Sequence, residues 1–437
     1  MTDLARLSPK QLRDLLVEEG IRRFFLVWDE DEKVVRASHP RLEPLARLLG
    51  DDRRDFDRHE GVFVQVAPET GVLQGAFIHR TCRGQAAGGV RFWRYDTVEE
   101  YLRDGLRLAR GMTHKNALAG LWWGGGKGVM ATGTGGDEAA PGVRRTIYQE
   151  YGSFLTSLRG CYVTAADVGT SVEDMAAVFS KTRFTTCIPP ELGGSGNPSS
   201  PTALGVVRGM EAALAFLEMG DLGGKTVAIQ GLGHVGEPLV RLLHERGIGR
   251  IVGSDIDPGR EAALRERFPD LDLTVRIVER GDNTLLGEEA EILSPCATGA
   301  ILGPETIPRI RARIVCGAAN NQLEDPERDD ARLQDAGVLY MPDFLVNRMG
   351  IVNCADEASG SFDGDPALEE HLGDRWDNSV YRLSLFVLEE ARRTGKTPAR
   401  VALELAEERS FEVHPIQGRR GARIIRSLVS SGWATGC

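Results

Sequence analysis

Residues 225–257, KTVAIQGLGHVGEPLVRLLHERGIGRIVGSDID, decide the fold class of this chain. KTVAIQ is a β-branched, apolar run that predicts a strand. Gly231, Gly233 and Gly236 follow as GxGxxG, Glu237–Arg246 predicts a helix, and Gly247 is its stop. RIVGSD is the next strand, closing on Asp255, nineteen residues beyond Gly236. The first glycine permits a tight turn, the second lets a pyrophosphate approach, and the third allows close helix–strand packing. The helix N-terminus offers amide donors to the phosphates. Asp255 is placed to accept hydrogen bonds from an adenosine ribose, and its charge repels a ribose phosphate, which favours NAD over NADP. A lone GxGxxG is equally a glycine-rich turn with no ligand. Here the strand, the helix and the acid are all in place, and dinucleotide binding is expected.

Downstream, strand and helix patterns alternate to about residue 345, which implies a parallel, doubly wound Rossmann-type sheet. Upstream, Ser200-Pro201 opens a helix to about Met219. Before it lies PPELGGSGNPSSP (189–201), the best candidate for an interdomain hinge. CYVTAADVG (161–169) reads as a buried strand ending in a loop, and Tyr148–Leu158 as a helix. Thr97 and Glu100 form a capping box before the periodic run VEEYLRDGLRLARGM. VFVQVA and VLQGAFIH around PETG predict a hairpin, as do FFLVW (24–28) and KVVRAS (33–38) around an acidic turn. Ser8-Pro9 starts a helix that Gly20 ends, and DDRRDFDRHEG (51–61) is a connector. Helical patterns near 376–395, 398–408 and 420–430 close the chain.

A length of 437 residues suggests two or three domains, and 41% hydrophobic with 27% charged residues describes a soluble globular protein. The net charge of −11 argues against nucleic acid or an anionic membrane as the main partner. The N-terminus lacks the pattern of a signal peptide, and no apolar run is long enough to span a bilayer. The seven cysteines (Cys82, Cys161, Cys187, Cys296, Cys316, Cys354, Cys437) include no CxxC pair. A reducing, cytoplasmic setting with no metal site is expected.

A second segment, GMTHKNALAGLWWGGGKG (111–128), carries Lys115 and Lys127 with no acidic residue between them. Such a pair is either two solvated surface lysines or a site that holds an anion and uses a lysine of lowered pKa. Asp167, in YVTAADVGT, lies at the C-terminal end of a strand, where open α/β sheets place their ligands. It is otherwise a turn or cap aspartate.

GMTHKNALAGLWWGGGKG, YVTAADVGTSVEDM, GGSGNPSSPTALGVVRGM, GLGHVG, SPCATGAILGPETI, GAANNQL and PDFLVN occur here in this order. Together they resemble the glutamate/leucine/phenylalanine/valine dehydrogenase family, closest to its leucine and phenylalanine branch, over about Val62 to Arg409. The resemblance implies an α/β protein of two domains separated by a cleft. The substrate and oligomerisation domain would span 61–190 and be completed by about 375–437. The NAD-binding Rossmann domain would span 191–374, with 1–60 an N-terminal extension of unassigned role. It implies a homo-oligomer that converts an L-amino acid, NAD⁺ and water to a 2-oxo acid, ammonium and NADH, and runs the reverse amination. Lys127 and Asp167 match its catalytic lysine and aspartate. Lys115 resembles the lysine on the substrate α-carboxylate. Gly88, Gly89 and Met112 resemble residues of the same pocket, and Asn347 one near the substrate. His234 and Val235 lie within the cofactor fingerprint, while Thr202, Ala297 and Asn320 fall in motifs that contact the nicotinamide half of the cofactor.

In that chemistry Lys115 orients the carboxylate, and Lys127, its pKa lowered by burial and by Lys115, works on the developing hydroxyl. Asp167 shuttles protons at the substrate nitrogen. Glutamate-specific relatives carry a lysine where Ala87 stands, so an apolar side chain, branched or aromatic, is expected. Trp122 and Trp123 depart from the family pattern and either turn inward to fill the pocket or pack against neighbouring helices. The rival readings are a non-catalytic NAD-binding or regulatory member, and a glutamate-specific or biosynthetic dehydrogenase. The extension 1–60 would cap the cleft, add an oligomer surface or only pack on the first domain.

Overall fold

The computed structural model describes residues 3–138, 140, 142–360, 362 and 364–435. Cys437 lies outside them. The chain forms two compact units, the first from Met1–Asn197, Glu357–Ser361 and Ala406–Cys437, the second from Pro198–Asp356 and Phe362–Leu405.

The first unit is built on an eight-stranded mixed sheet. The expected hairpins are present: Arg23–Asp29 pairs antiparallel with Val34–Ala37, and Gly61–Val66 with Leu73–Arg80. Leu73–Arg80 in turn pairs antiparallel with Gly124–Ala131, setting Phe77 opposite Lys127. Beyond that strand the pairing becomes parallel, through Ala86–Ala87 and Tyr162–Val163, with Val90–Trp93 also on Gly124–Ala131. The opening section is continuous with this unit. Arg23–Asp29 pairs with Gly61–Val66, and Leu4, Leu12, Leu16, Leu42, Leu45 and Leu49 share one core with Val64, Phe77, Tyr101 and Leu106. Of the roles weighed for residues 1–60, packing on the first unit is the one seen.

The helix Val98–Leu118 lies across this sheet. Thr97 caps it by accepting from the Glu100 N–H, but the box is not closed. The Glu100 carboxylate instead accepts from the Asp96 N–H at 3.0 Å. The opening helix Pro9–Glu18 does carry a complete box, between Ser8 and Gln11.

The second unit holds six parallel strands in the order Leu273–Ile277, Arg250–Asp255, Thr226–Gln230, Ile292–Pro295, Ile314–Val315 and Leu339–Tyr340. Its first strand in sequence, Thr226–Gln230, is central, and the chain winds outward to either side. This is the doubly wound arrangement expected from 225–257. The C-terminal region departs from expectation, because residues 375–437 do not all join the first unit. Val380–Thr394 buries Val380, Leu383, Val387, Leu388 and Ala391 and packs along Ser199–Phe216, so its apolar stripe commits it to the second unit. Among the described residues no helix is long and apolar enough to cross a membrane, and no cysteine is disulfide-bonded.

Candidate active site

The strand Gly124–Ala131 is buried along its whole length. Its three leading glycines, Gly124, Gly125 and Gly126, are regular strand. They are required by what crosses them. A Cβ on Gly125 would be driven into Thr113 of the helix Val98–Leu118, and one on Gly124 into the Arg80 carbonyl. A Cβ on Gly126 would lie 2.8 Å from the Tyr162 ring. The helix therefore sits down on the strand, and Asn116 fastens the contact by donating to the Gly124 carbonyl at 2.6 Å.

Lys127 emerges from this strand only 5% exposed. Its Nζ lies 2.7 Å from Asp167 Oδ2. Asp167 follows the strand Tyr162–Val163 in a tight loop, where its N–H donates to Thr170 Oγ1 at 2.7 Å and its carbonyl accepts from the Thr170 hydroxyl at 2.8 Å. Burial works against the charge on each partner. The Lys127 ammonium is pushed below its ordinary value by burial, against the opposing pull of Asp167, and Arg91 pushes it the same way. Burial alone would raise Asp167, but Lys127 and Arg91 override it and hold the carboxyl at about 2. Arg91 is thus a cation that helps depress Lys127.

Gly88 and Gly89 sit where the backbone has no room for a side chain. A Cβ on Gly88 would enter the Gly126 carbonyl and come within 2.8 Å of Met112, and one on Gly89 would lie 2.8 Å from Asp167 Cβ. Met112 and Lys115 lie on the last turns of the helix that crosses the strand, with Lys115 half-buried in the final turn. Five expected residues, Gly88, Gly89, Met112, Lys127 and Asp167, are thereby brought together, with Lys115 one helical turn from Met112. Ala87 is buried between Gly125 and Val163 and brings no charge. Trp122 does not turn inward: it is 43% exposed, with the Arg83 guanidinium 4.4 Å from its ring centroid.

Sequence reasoning did not single out the groups behind Asp167. Arg91 Nε lies 3.4 Å from Asp167 Oδ2, and its Nη1 lies 3.0 Å from Asp104 Oδ2. Asp104 also accepts from the Tyr95 hydroxyl at 2.7 Å and from Arg107 at 3.1 Å. The only signal for Arg91 was its place two residues after the paired glycines in AAGGVRF.

In the second unit the fingerprint residues fit a dinucleotide. Gly231 adopts φ +89°, and a Cβ there would lie 2.7 Å from Ala297 Cβ. Around Gly233 there is open space, so a phosphate can approach the backbone. The third glycine, Gly236, is needed because the turn folds back onto the Gly231 carbonyl. The helix Gly236–Glu245 has Val235 as its N-cap and no side-chain cap; in its first turn Glu237 N–H already donates to the Gly233 carbonyl at 3.0 Å and Pro238 has no N–H, which leaves the Gly236 N–H. His234 is exposed beside it. Asp255 ends its strand with Oδ2 accepting from the Leu232 N–H at 2.8 Å, which braces the fingerprint loop. Asn347 donates to Asn320 Oδ1 at 3.0 Å, and its own Oδ1 is buried with no hydrogen bond. Thr202 is occupied locally, donating to the Pro198 carbonyl at 2.8 Å.

The family model for the Glu/Leu/Phe/Val dehydrogenase dimerisation domain matches residues 62–184, and that for Glutamate/Leucine/Phenylalanine/Valine dehydrogenase matches 193–258. Leucine dehydrogenase of Geobacillus stearothermophilus is 41% identical over 70% of this chain and 79% of its own length. The chain belongs to this family. Valine dehydrogenase of Streptomyces albus is 40% identical over 82% of this chain and 94% of its own. Among solved structures, L-tryptophan dehydrogenase from Nostoc punctiforme shares 32% identity and a TM-score of 0.63 over 80% of this chain and 96% of its own. As a member of the Glu/Leu/Phe/Val dehydrogenases, the protein is an amino acid oxidoreductase that works with a nicotinamide cofactor.

Proposed function

We propose that this dehydrogenase oxidatively deaminates an apolar L-amino acid, branched-chain or aromatic, with NAD, and that it catalyses the reverse amination. The observation that carries the reading is the buried Lys127–Asp167 pair, set beside the neutral Ala87. A substrate with a distal carboxylate would meet no cation at Ala87 and would bear the cost of desolvating that charge. The names of the similar leucine, valine and tryptophan dehydrogenases support the same class.

The first unit would bind the substrate and the second the cofactor. Gly231, Gly233, His234, Val235 and Gly236 would cradle the pyrophosphate, and Asp255 would hold the adenosine ribose. Thr202, Ala297 and Asn320 would face the nicotinamide half, and Asn347 would act near the substrate. The bound cofactor supplies the acceptor for the hydride that leaves the substrate Cα. Lys115 fixes the α-carboxylate, with Gly88, Gly89 and Met112 shaping the pocket, so that the Cα–H is oriented. Asp167 takes a proton from the substrate ammonium, leaving an amine whose lone pair forms the C=N bond as hydride departs. Lys127, in the neutral amine form that its lowered pKa makes accessible, then steers water onto the resulting iminium carbon and takes its proton to become the ammonium. Its lowered pKa suits it to give and accept that proton. The chain would act as a homo-oligomer in the cytoplasm.

A screen of the standard L-amino acids for NADH formation tests the reading. Turnover of leucine, valine, isoleucine, phenylalanine or tryptophan is expected. Activity confined to glutamate, or a preference for NADP, would overturn the corresponding part.

A further inference from the structure

We infer that Arg91, oriented by Asp104, is the positioning residue that assigns different work to the two oxygens of Asp167. With Lys127 it occupies Oδ2, and it leaves Oδ1 to exchange the proton with the substrate nitrogen. The inference rests on the function proposed above and deepens it.

Both cations make their closest approach to the same oxygen: Lys127 Nζ at 2.7 Å and Arg91 Nε at 3.4 Å from Oδ2. The guanidinium cannot drift, because its Nη1 meets both oxygens of Asp104, at 3.0 and 3.3 Å. Asp104 is itself buried and fixed by Tyr95 and Arg107. Arg91 is thus clamped between two carboxylates, one structural and one at the reaction site. A planar guanidinium spans such a pair; an ammonium, a point charge, does not.

The division of labour matters because Lys127 changes state during turnover. When Lys127 takes a proton from water or gives one up, its hold on Asp167 varies. Arg91 stays charged at every working pH and keeps Oδ2 pinned through the cycle. On Oδ1 the balance is simple. The N–H bond of the substrate ammonium breaks, an O–H bond forms, and both groups become neutral. The same proton returns when ammonia leaves as ammonium.

The test uses the full-length enzyme with its best L-amino acid, measuring kcat, KM and the pH profile. Removing the Arg91 charge should let the pKa values of Lys127 and Asp167 rise together. Arg91→Met should therefore move the whole kcat profile to higher pH, by about one unit. Its kcat should fall on the order of a hundredfold, with KM for NAD unchanged. Arg91→Lys should keep the wild-type profile but lose part of kcat, since an ammonium does not bridge both carboxylates. Guanidinium ion should restore activity to Arg91→Ala but not to Asp167→Asn. An active wild type with an unmoved Arg91→Met profile, or no rescue by guanidinium, overturns this inference alone. Should Arg91→Met not fold, wild-type kcat in Arg91→Lys overturns it. A wild type inactive on every L-amino acid overturns both this and the proposed function.

Discussion

Lys127 Nζ and Asp167 Oδ2 lie 2.7 Å apart in a closed ion pair between a strand lysine and a loop aspartate. Burial opposes both charges, and the pair persists because each neutralises the other. Breaking such a pair by removing one partner strands a charge in a dry site, whereas removing both does not.

Lys127→Met and Asp167→Asn should each lower turnover by roughly two to four orders of magnitude. Lys127→Met should also destabilise the first unit by about 3–5 kcal/mol, because the buried Asp167 carboxylate then loses its 2.7 Å cationic partner. Urea unfolding and initial rates check the two effects separately. Wild-type turnover in either variant would remove the residue it replaces from the chemistry.

Asp255 offers a second prediction. Its carboxylate braces Leu232, and in the proposed function it holds the adenosine ribose. Asp255→Ser should shift the NAD/NADP ratio of kcat/KM toward NADP by tenfold or more, on the order of one like-charge repulsion relieved. An unchanged ratio would mean that another group sets the preference.

The glycines of the strand that carries Lys127 and of the crossing helix should respond oppositely to the same substitution. Gly125→Ala would drive a methyl into Thr113 and should abolish folding or activity. Gly111 lies inside the helix with open space around it, so Gly111→Ala should stabilise by about 1 kcal/mol. Denaturation midpoints of the two variants give the comparison.

Acid should weaken this protein earlier than its carboxylates alone would dictate. Burial holds His79 at about 4, and burial with Arg348 holds His371 at about 4, both below 6.5. Between those limits the unfolded chain binds protons that the folded chain does not, so stability is full above pH 6.5 and is lost as pH falls toward 4. A shift of this size is worth on the order of 3 kcal/mol per histidine. Urea midpoints across that range should fall, and less steeply in His79→Asn; a flat profile would contradict neutral burial.

Much of the molecule was legible because its signals are local. Ser8-Pro9 announces a helix start, and the fingerprint announces a strand, turn and helix within one stretch of chain. Trp122 was not legible in this way: its exposure and its Arg83 partner come from a strand turn distant in sequence. The role of the triple glycine was not legible for a related reason. Its composition says flexibility, but the cause is a helix pressing on a strand, which only packing reveals.

By itself, then, the sequence determined the doubly wound second unit, its glycine-rich turn and the candidate lysine and aspartate. Those depend on backbone geometry and on residue types that recur at fixed local spacing. Only the tertiary structure decided that residues 4–51 complete the first unit, that the glycines are strand, and that Lys127 answers to Arg91. Sheet pairing, close approach and the field at a buried charge depend on distances through space, and no local spacing encodes them.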